Sequence, residues 1–125
     1  MAKNLAMLVV GIALGLGGAM AAHHFTAHKH IQFNSEFQAV LLDNGQVFFG
    51  KIEGADTGFP VLTNVYYIQN KVDPQTKAVT NILVRRGKEW HSPDRMVLNS
   101  RHVILMEPVG NNSQVAKLIA ENEQR

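Results

Sequence analysis

The sequence predicts a mainly β protein: an N-terminal transmembrane helix, then a small, strongly bent antiparallel β-barrel or curled sheet, then a short C-terminal helix. Three observations carry this. Residues 5–22 form a run of 18 with no charge and no strongly polar side chain. Residues 37–109 break into short segments rich in β-branched and aromatic residues, separated by turn signals. Ser113 precedes an apolar stripe of Val115, Leu118 and Ile119 at helical spacing. The chain accordingly divides into a membrane anchor with its polar flank (1–30), a connector (31–36), the β domain (37–109) and a helical tail (110–125).

As a helix rising ~1.5 Å per residue, the apolar run spans about 27 Å, close to a bilayer hydrocarbon core. Lys3 precedes it, and His23, His24, His28, Lys29 and His30 follow, so both ends are polar. A cleaved export signal is the rival reading, because Ala19-Met20-Ala21 has the small-x-small pattern of a cleavage site before Ala22. The run is longer than an ordinary signal core, which favours a retained anchor. Gly11, Gly15 and Ala19 recur every four residues, with Gly18 and Ala22 repeating the spacing alongside. Small residues so placed let another helix backbone approach closely in lipid. Lys3 and the chain amine outnumber Lys29, so the positive-inside rule places the N-terminus in the cytoplasm. The expectation is a single-pass protein of the bacterial inner membrane with a periplasmic C-terminal domain.

His23, His24 and His28 are candidate metal, haem or pigment ligands, since His24 and His28 lie one helical turn apart. His23 follows Ala19 by four, resembling the Ala-x-x-x-His pattern of antenna helices that ligate bacteriochlorophyll. No acidic residue lies near in sequence to orient a ring, as partners of ligating histidines do. Interfacial histidines at headgroup level are therefore the preferred reading, and no cofactor and no metal is expected.

The 125 residues leave room for one small domain beyond the anchor, and the absence of cysteine excludes disulfides and thiol chemistry. Ten Lys/Arg balance ten Asp/Glu over residues 36–125, so the folded part is formally neutral. Nucleic-acid binders carry a basic excess on the binding face, and Arg85, Arg86 and Lys88 form only a small local patch. Nucleic acid is not an expected partner.

"FQAVLLDNGQVFFGKIEG" reads as a β-hairpin about an Asn44-Gly45 type I′ turn, with Leu42 opposite Val47, Leu41 opposite Phe48 and Val40 opposite Phe49. Phe37, Ala39, Leu41, Phe48 and Ile52 then share one face. Val40, Leu42, Val47 and Phe49 share the other and form a candidate interface, because a hairpin apolar on both faces is covered on both. "VLTNVYYIQ" and "TNILVRR" follow as strands, joined by a polar connection with an Asp73-Pro74 turn signal. "MVLNSRHVILMEPV" holds one bent strand or two short ones, ended by Pro108.

The blocks "LLDNGQVFFGKI", "PVLTNVYYIQ", "RRGKEWHSPDRMVLN" and "VILMEP" resemble a set of uncharacterised small bacterial proteins. Those carry "NGQVxFGK" and "VYYxQ" blocks in the same order behind an N-terminal membrane segment. The resemblance covers about 70 residues and implies no activity. A looser likeness runs to Sm-like barrels, which implies a small bent barrel and ring formation through edge strands. The chain lacks the basic balance and leading helix of an RNA-binding Sm protein.

Glu89, His91 and Asp94 are the polar grouping closest to a metal or acid–base site. Pro93 fixes a turn there, and the same side chains can bond the loop backbone. No nucleophile with an activating base stands out, so no enzyme is expected. The sequence points to a membrane-anchored, non-catalytic assembly module, either self-associating or an accessory subunit of a larger membrane complex. A tethered Sm-like RNA-binding module and a histidine-ligated metal, haem or pigment subunit are the alternatives.

Overall fold

Six strands and one α-helix follow the connector in the computed structural model, which describes residues 30–125. The strands are β1 (Gln38–Leu42), β2 (Val47–Glu53), β3 (Val61–Val72), β4 (Val79–Arg85), β5 (Arg95–Val97) and β6 (Val103–Pro108); the helix is α1 (Gln114–Glu123). They make one antiparallel sheet in the order β4-β3-β2-β1-β6, with β5 pairing β3. The expected membrane span lies outside the described residues, as do Gly11, Gly15, Ala19, His23, His24 and His28. Among the described residues, no helix is long and apolar enough to cross a membrane.

The first hairpin forms where expected, but its register differs by one residue. Ala39 faces Phe49, Val40 faces Phe48 and Leu41 faces Val47. Asn44 does not take a positive φ; Gly45 alone does, at +84°. Gly45 N–H donates to the Leu42 carbonyl at 3.0 Å, and Leu42 N–H donates to that of Gln46 at 2.9 Å. This is a turn closed by a left-handed glycine, the longer of the common hairpin connections. Asn44 stabilises it differently from the expected way: its Oδ1 accepts from Gln46 N–H at 3.0 Å.

A second irregularity aims the core. Between Phe49↔Tyr66 and Lys51↔Thr63, Asn64 and Val65 on β3 oppose only Gly50 on β2. This is a β-bulge, with Asn64 at φ 49° taking up the extra residue. The backbones approach so closely that a Cβ on Gly50 would lie 2.9 Å from the Thr63 carbonyl oxygen. The bulge sends Leu62 and Val65 to one side of the sheet and Tyr66 to the other. Val40, Phe48, Leu62, Val65 and Leu98 form the first cluster, while Phe49, Tyr66, Val109 and Ile119 form the second beneath α1. Fully buried Val40 and Leu62 each contribute roughly 1.5–3 kcal/mol of transfer free energy. Gln38, only 3% exposed, accepts from Ile52 N–H at 3.1 Å and donates to the Ser35 carbonyl at 2.6 Å.

The barrel expectation is corrected: the sheet is open. Its two end strands, β4 and β6, do not meet. β3 shares its outer edge between β5, at residues 61–63, and β4, at 66–72, so β4 runs outward along the far half of β3. β3 is also longer than predicted, because Asn70, Lys71 and Val72 continue the ladder rather than starting the connection. The Asp73-Pro74 turn then closes the hairpin, with Asp73 Oδ1 accepting from Gln75 N–H at 2.8 Å and Thr76 N–H at 3.1 Å. The late apolar segment is two short strands separated by a 3-10 turn at Ser100–His102. Ser113 caps α1 as predicted, accepting from Ala116 N–H at 3.1 Å. Val115, Ala116 and Ile119 face the sheet, whereas Leu118 is exposed.

Candidate functional site

The loop bearing Glu89, His91 and Asp94 is organised by its own backbone. Glu89 Oε2 accepts from Gly87 N–H at 2.8 Å, and Oε1 faces Arg86 Nε at 3.2 Å. The Gly87 backbone bond, ahead of the nearby Arg86 charge, holds the Glu89 carboxyl below its ordinary range. Arg86 Nε is buried and lies off the hydrogen-bonding direction, so that contact is an ion pair without a formal hydrogen bond. The Arg86 guanidinium also covers the Phe48 ring at 5.8 Å and donates to Met96 Sδ at 3.4 Å. Asp94 pairs with Arg95 at 3.0 Å. The three acidic and histidine side chains do not converge, and no metal-holding group is found among the described residues.

Beneath α1 lies a polar clasp that the sequence did not reveal. Tyr66 Oη donates to Glu123 Oε1 at 2.7 Å, and Asn64 Nδ2 donates to the same oxygen at 3.3 Å. Arg85 lies 3.8 Å from Glu123 Oε2 and stands over the Tyr66 ring at 6.0 Å. Burial, then the bond to Glu123, pushes the Tyr66 hydroxyl up to about 12. The Tyr66 bond, reinforced by Asn64 and Arg85, holds the Glu123 carboxyl down. The group ties the last turn of α1 to the β3 bulge. Two cations of the small basic patch, Arg85 and Arg86, are thus engaged with carboxylates.

The unusual surface is the far half of the β3–β4 hairpin. Directly opposed residues share a face, which puts Ile68 with Leu83, Asn70 with Asn81, and Val72 with Val79 on one side. Tyr67 with Val84, Gln69 with Ile82, and Lys71 with Thr80 lie on the other. Ile68, Val72, Val79 and Ile82 are 47%, 55%, 63% and 40% exposed. Residues 79–84, Val-Thr-Asn-Ile-Leu-Val, contain no charge, proline or glycine. A cleft of about 590 Å³ opens at the base of this ribbon, between the first hairpin turn and Tyr67, Ile68, Arg86 and Glu89.

The candidate interface read from the first hairpin does not form one surface. Val40 is fully buried, Leu42 packs on the first cluster, Phe49 lies in the second, and only Val47 is exposed, at 38%. The one-residue shift in register and the neighbouring strands separate them. Alternation within β3 and β4 was readable in sequence, but an apolar run reads as a buried strand, so the exposure of this ribbon carried no signal.

The described part of the chain is therefore a small, mainly β domain: an open six-stranded antiparallel sheet with a short C-terminal helix. Neither a protein-family model nor a curated protein matches the chain.

Proposed function

We propose that this protein is a membrane-anchored, non-catalytic assembly module of the bacterial inner membrane. The uncharged run at residues 5–22 is its single span, and the β domain faces the periplasm. It acts by self-association or as an accessory subunit of a larger membrane complex. The observation that carries this reading is the far half of the β3–β4 ribbon, where Ile68, Val72, Val79 and Ile82 are exposed and the outer strand carries no charge over residues 79–84. Exposed, flat, apolar edges are ordinarily shielded by lysine, proline or a covering segment. An edge without such protection is suited to contact with another polypeptide. Nucleic acid is a poorer fit, because Arg85 and Arg86 are already paired with Glu123 and Glu89.

The test is isolation of the full chain from membranes in mild detergent, with the mass of the protein component measured. A mass above that of one chain, or a stoichiometric co-purifying membrane protein, is expected. A bare monomer would end this reading.

A further inference from the structure

We propose that the β4 edge is a two-fold interface between two copies of this chain, with Asn81 of each copy beside the axis. This rests on the assembly reading above and names its partner.

The pattern along β4 selects the pairing. A two-fold axis perpendicular to a sheet joins identical strands antiparallel, and directly opposed residues then share a face. Such an axis can only be centred on a residue. Centred on Asn81, it sets Val79 opposite Leu83 of the second copy, Thr80 opposite Ile82, and Asn81 opposite Asn81. The β3 partners extend each row across both ribbons, because Val72 already pairs Val79, Asn70 pairs Asn81, and Ile68 pairs Leu83. The outcome is a row of four amides flanked on either side by a row of four aliphatic side chains. Moving the axis to Ile82 would put Asn81 against Leu83 and Val79 against Arg85. Moving it to Thr80 would put Val79 against Asn81 and Leu83 against Lys77. Only the Asn81-centred register matches apolar to apolar and amide to amide on this face.

The end strand on the opposite side of the sheet is less suited. β6 carries the exposed charge Glu107 and ends at Pro108, which has no N–H to donate. Of the row-forming residues, Val79 and Asn81 on β4 and Ile68, Asn70 and Val72 on β3 are exposed in the single chain, while Leu83 is half-buried against the second cluster. Stacked amides are themselves a favourable cross-strand arrangement.

The chain has no cysteine, which makes the test clean. In full-length protein held in membranes under mild oxidation, Asn81→Cys should give a disulfide-linked dimer, because opposed Cα atoms lie within the ~4.4–6.8 Å a disulfide spans. Thr80→Cys and Ile82→Cys should each stay monomeric alone, yet cross-link when combined in one chain. Asn81→Asp, which sets two carboxylates face to face, should weaken the untreated dimer by roughly tenfold or more. Absence of a cross-link with Asn81→Cys overturns the proposal, as does a dimer formed by Ile82→Cys alone. If the chain still purifies as an assembly while Asn81→Cys stays unlinked, the two-fold falls and the assembly reading stands; a bare monomer removes both.

Discussion

Removing one hydroxyl should report on how α1 is held. Tyr66→Phe keeps the ring against Phe37, whose centroid is 6.3 Å away, and deletes the 2.7 Å bond to Glu123. A hydrogen bond to a charged group is worth roughly 1.5–3 kcal/mol. Glu123 is 37% exposed and keeps Asn64 and Arg85, so the loss should lie near the lower end, about 1.5 kcal/mol. For a domain of this size, that corresponds to a fall in Tm of roughly 6–12 °C. The pH dependence makes the prediction specific. The Glu123 carboxyl is held down by the Tyr66 bond, so its contribution is present above the ordinary carboxylate pKa of ~4.3 and is lost as pH falls through the depressed folded value. Tyr66 is raised to about 12, so its contribution is complete below the ordinary tyrosine pKa of ~10 and disappears as pH rises through the folded value. The gap in Tm between wild type and Tyr66→Phe should be widest near neutrality and narrow at both extremes. Thermal unfolding of the full chain followed by circular dichroism, from acid to strongly alkaline pH, would measure it. Equal Tm values at neutral pH, or a gap constant over the whole range, would refute the reasoning.

Gly50→Ala should cost about 1–3 kcal/mol, because the new Cβ would meet the Thr63 carbonyl oxygen at 2.9 Å and β2 and β3 must part; an unchanged midpoint in denaturant would mean the bulge yields freely. Trp90 is the only tryptophan and is fully exposed, so its emission should be that of a water-exposed indole and be quenched efficiently by acrylamide. Trp90→Ala should alter stability by no more than about 0.5 kcal/mol, and a blue-shifted, unquenched emission would show that the loop is covered. Gly15→Leu should leave membrane insertion intact while reducing the assembly recovered, whereas Leu14→Ile should not. Equal recovery of both variants in detergent would make the glycines incidental and leave the contacts to the β domain.

Local chemistry was legible where it is short-range. The β-branched and aromatic runs form strands, Asp73-Pro74 forms a turn, Pro108 ends β6 and Ser113 caps α1. Each depends on backbone groups within a few residues of the side chain that sets it, so the sequence by itself determined the order and type of the elements. Register, closure and exposure were decided only by the tertiary structure. Asn44-Gly45 is compatible with two hairpin connections differing by one residue, and the flanking strands selected the longer one. The Asn64 bulge exists because Leu62 and Tyr66 must face opposite clusters, and that demand comes from β1, β2 and a helix 57 residues away from the tyrosine it clasps. Apolar periodicity states which residues share a face but not whether anything covers it. Phe49 is covered by α1, and Val79, with the same β-branched character as its buried counterparts, is covered by nothing within its own domain. Burial depends on packing between distant segments, and a strand's own residues do not encode which segments arrive.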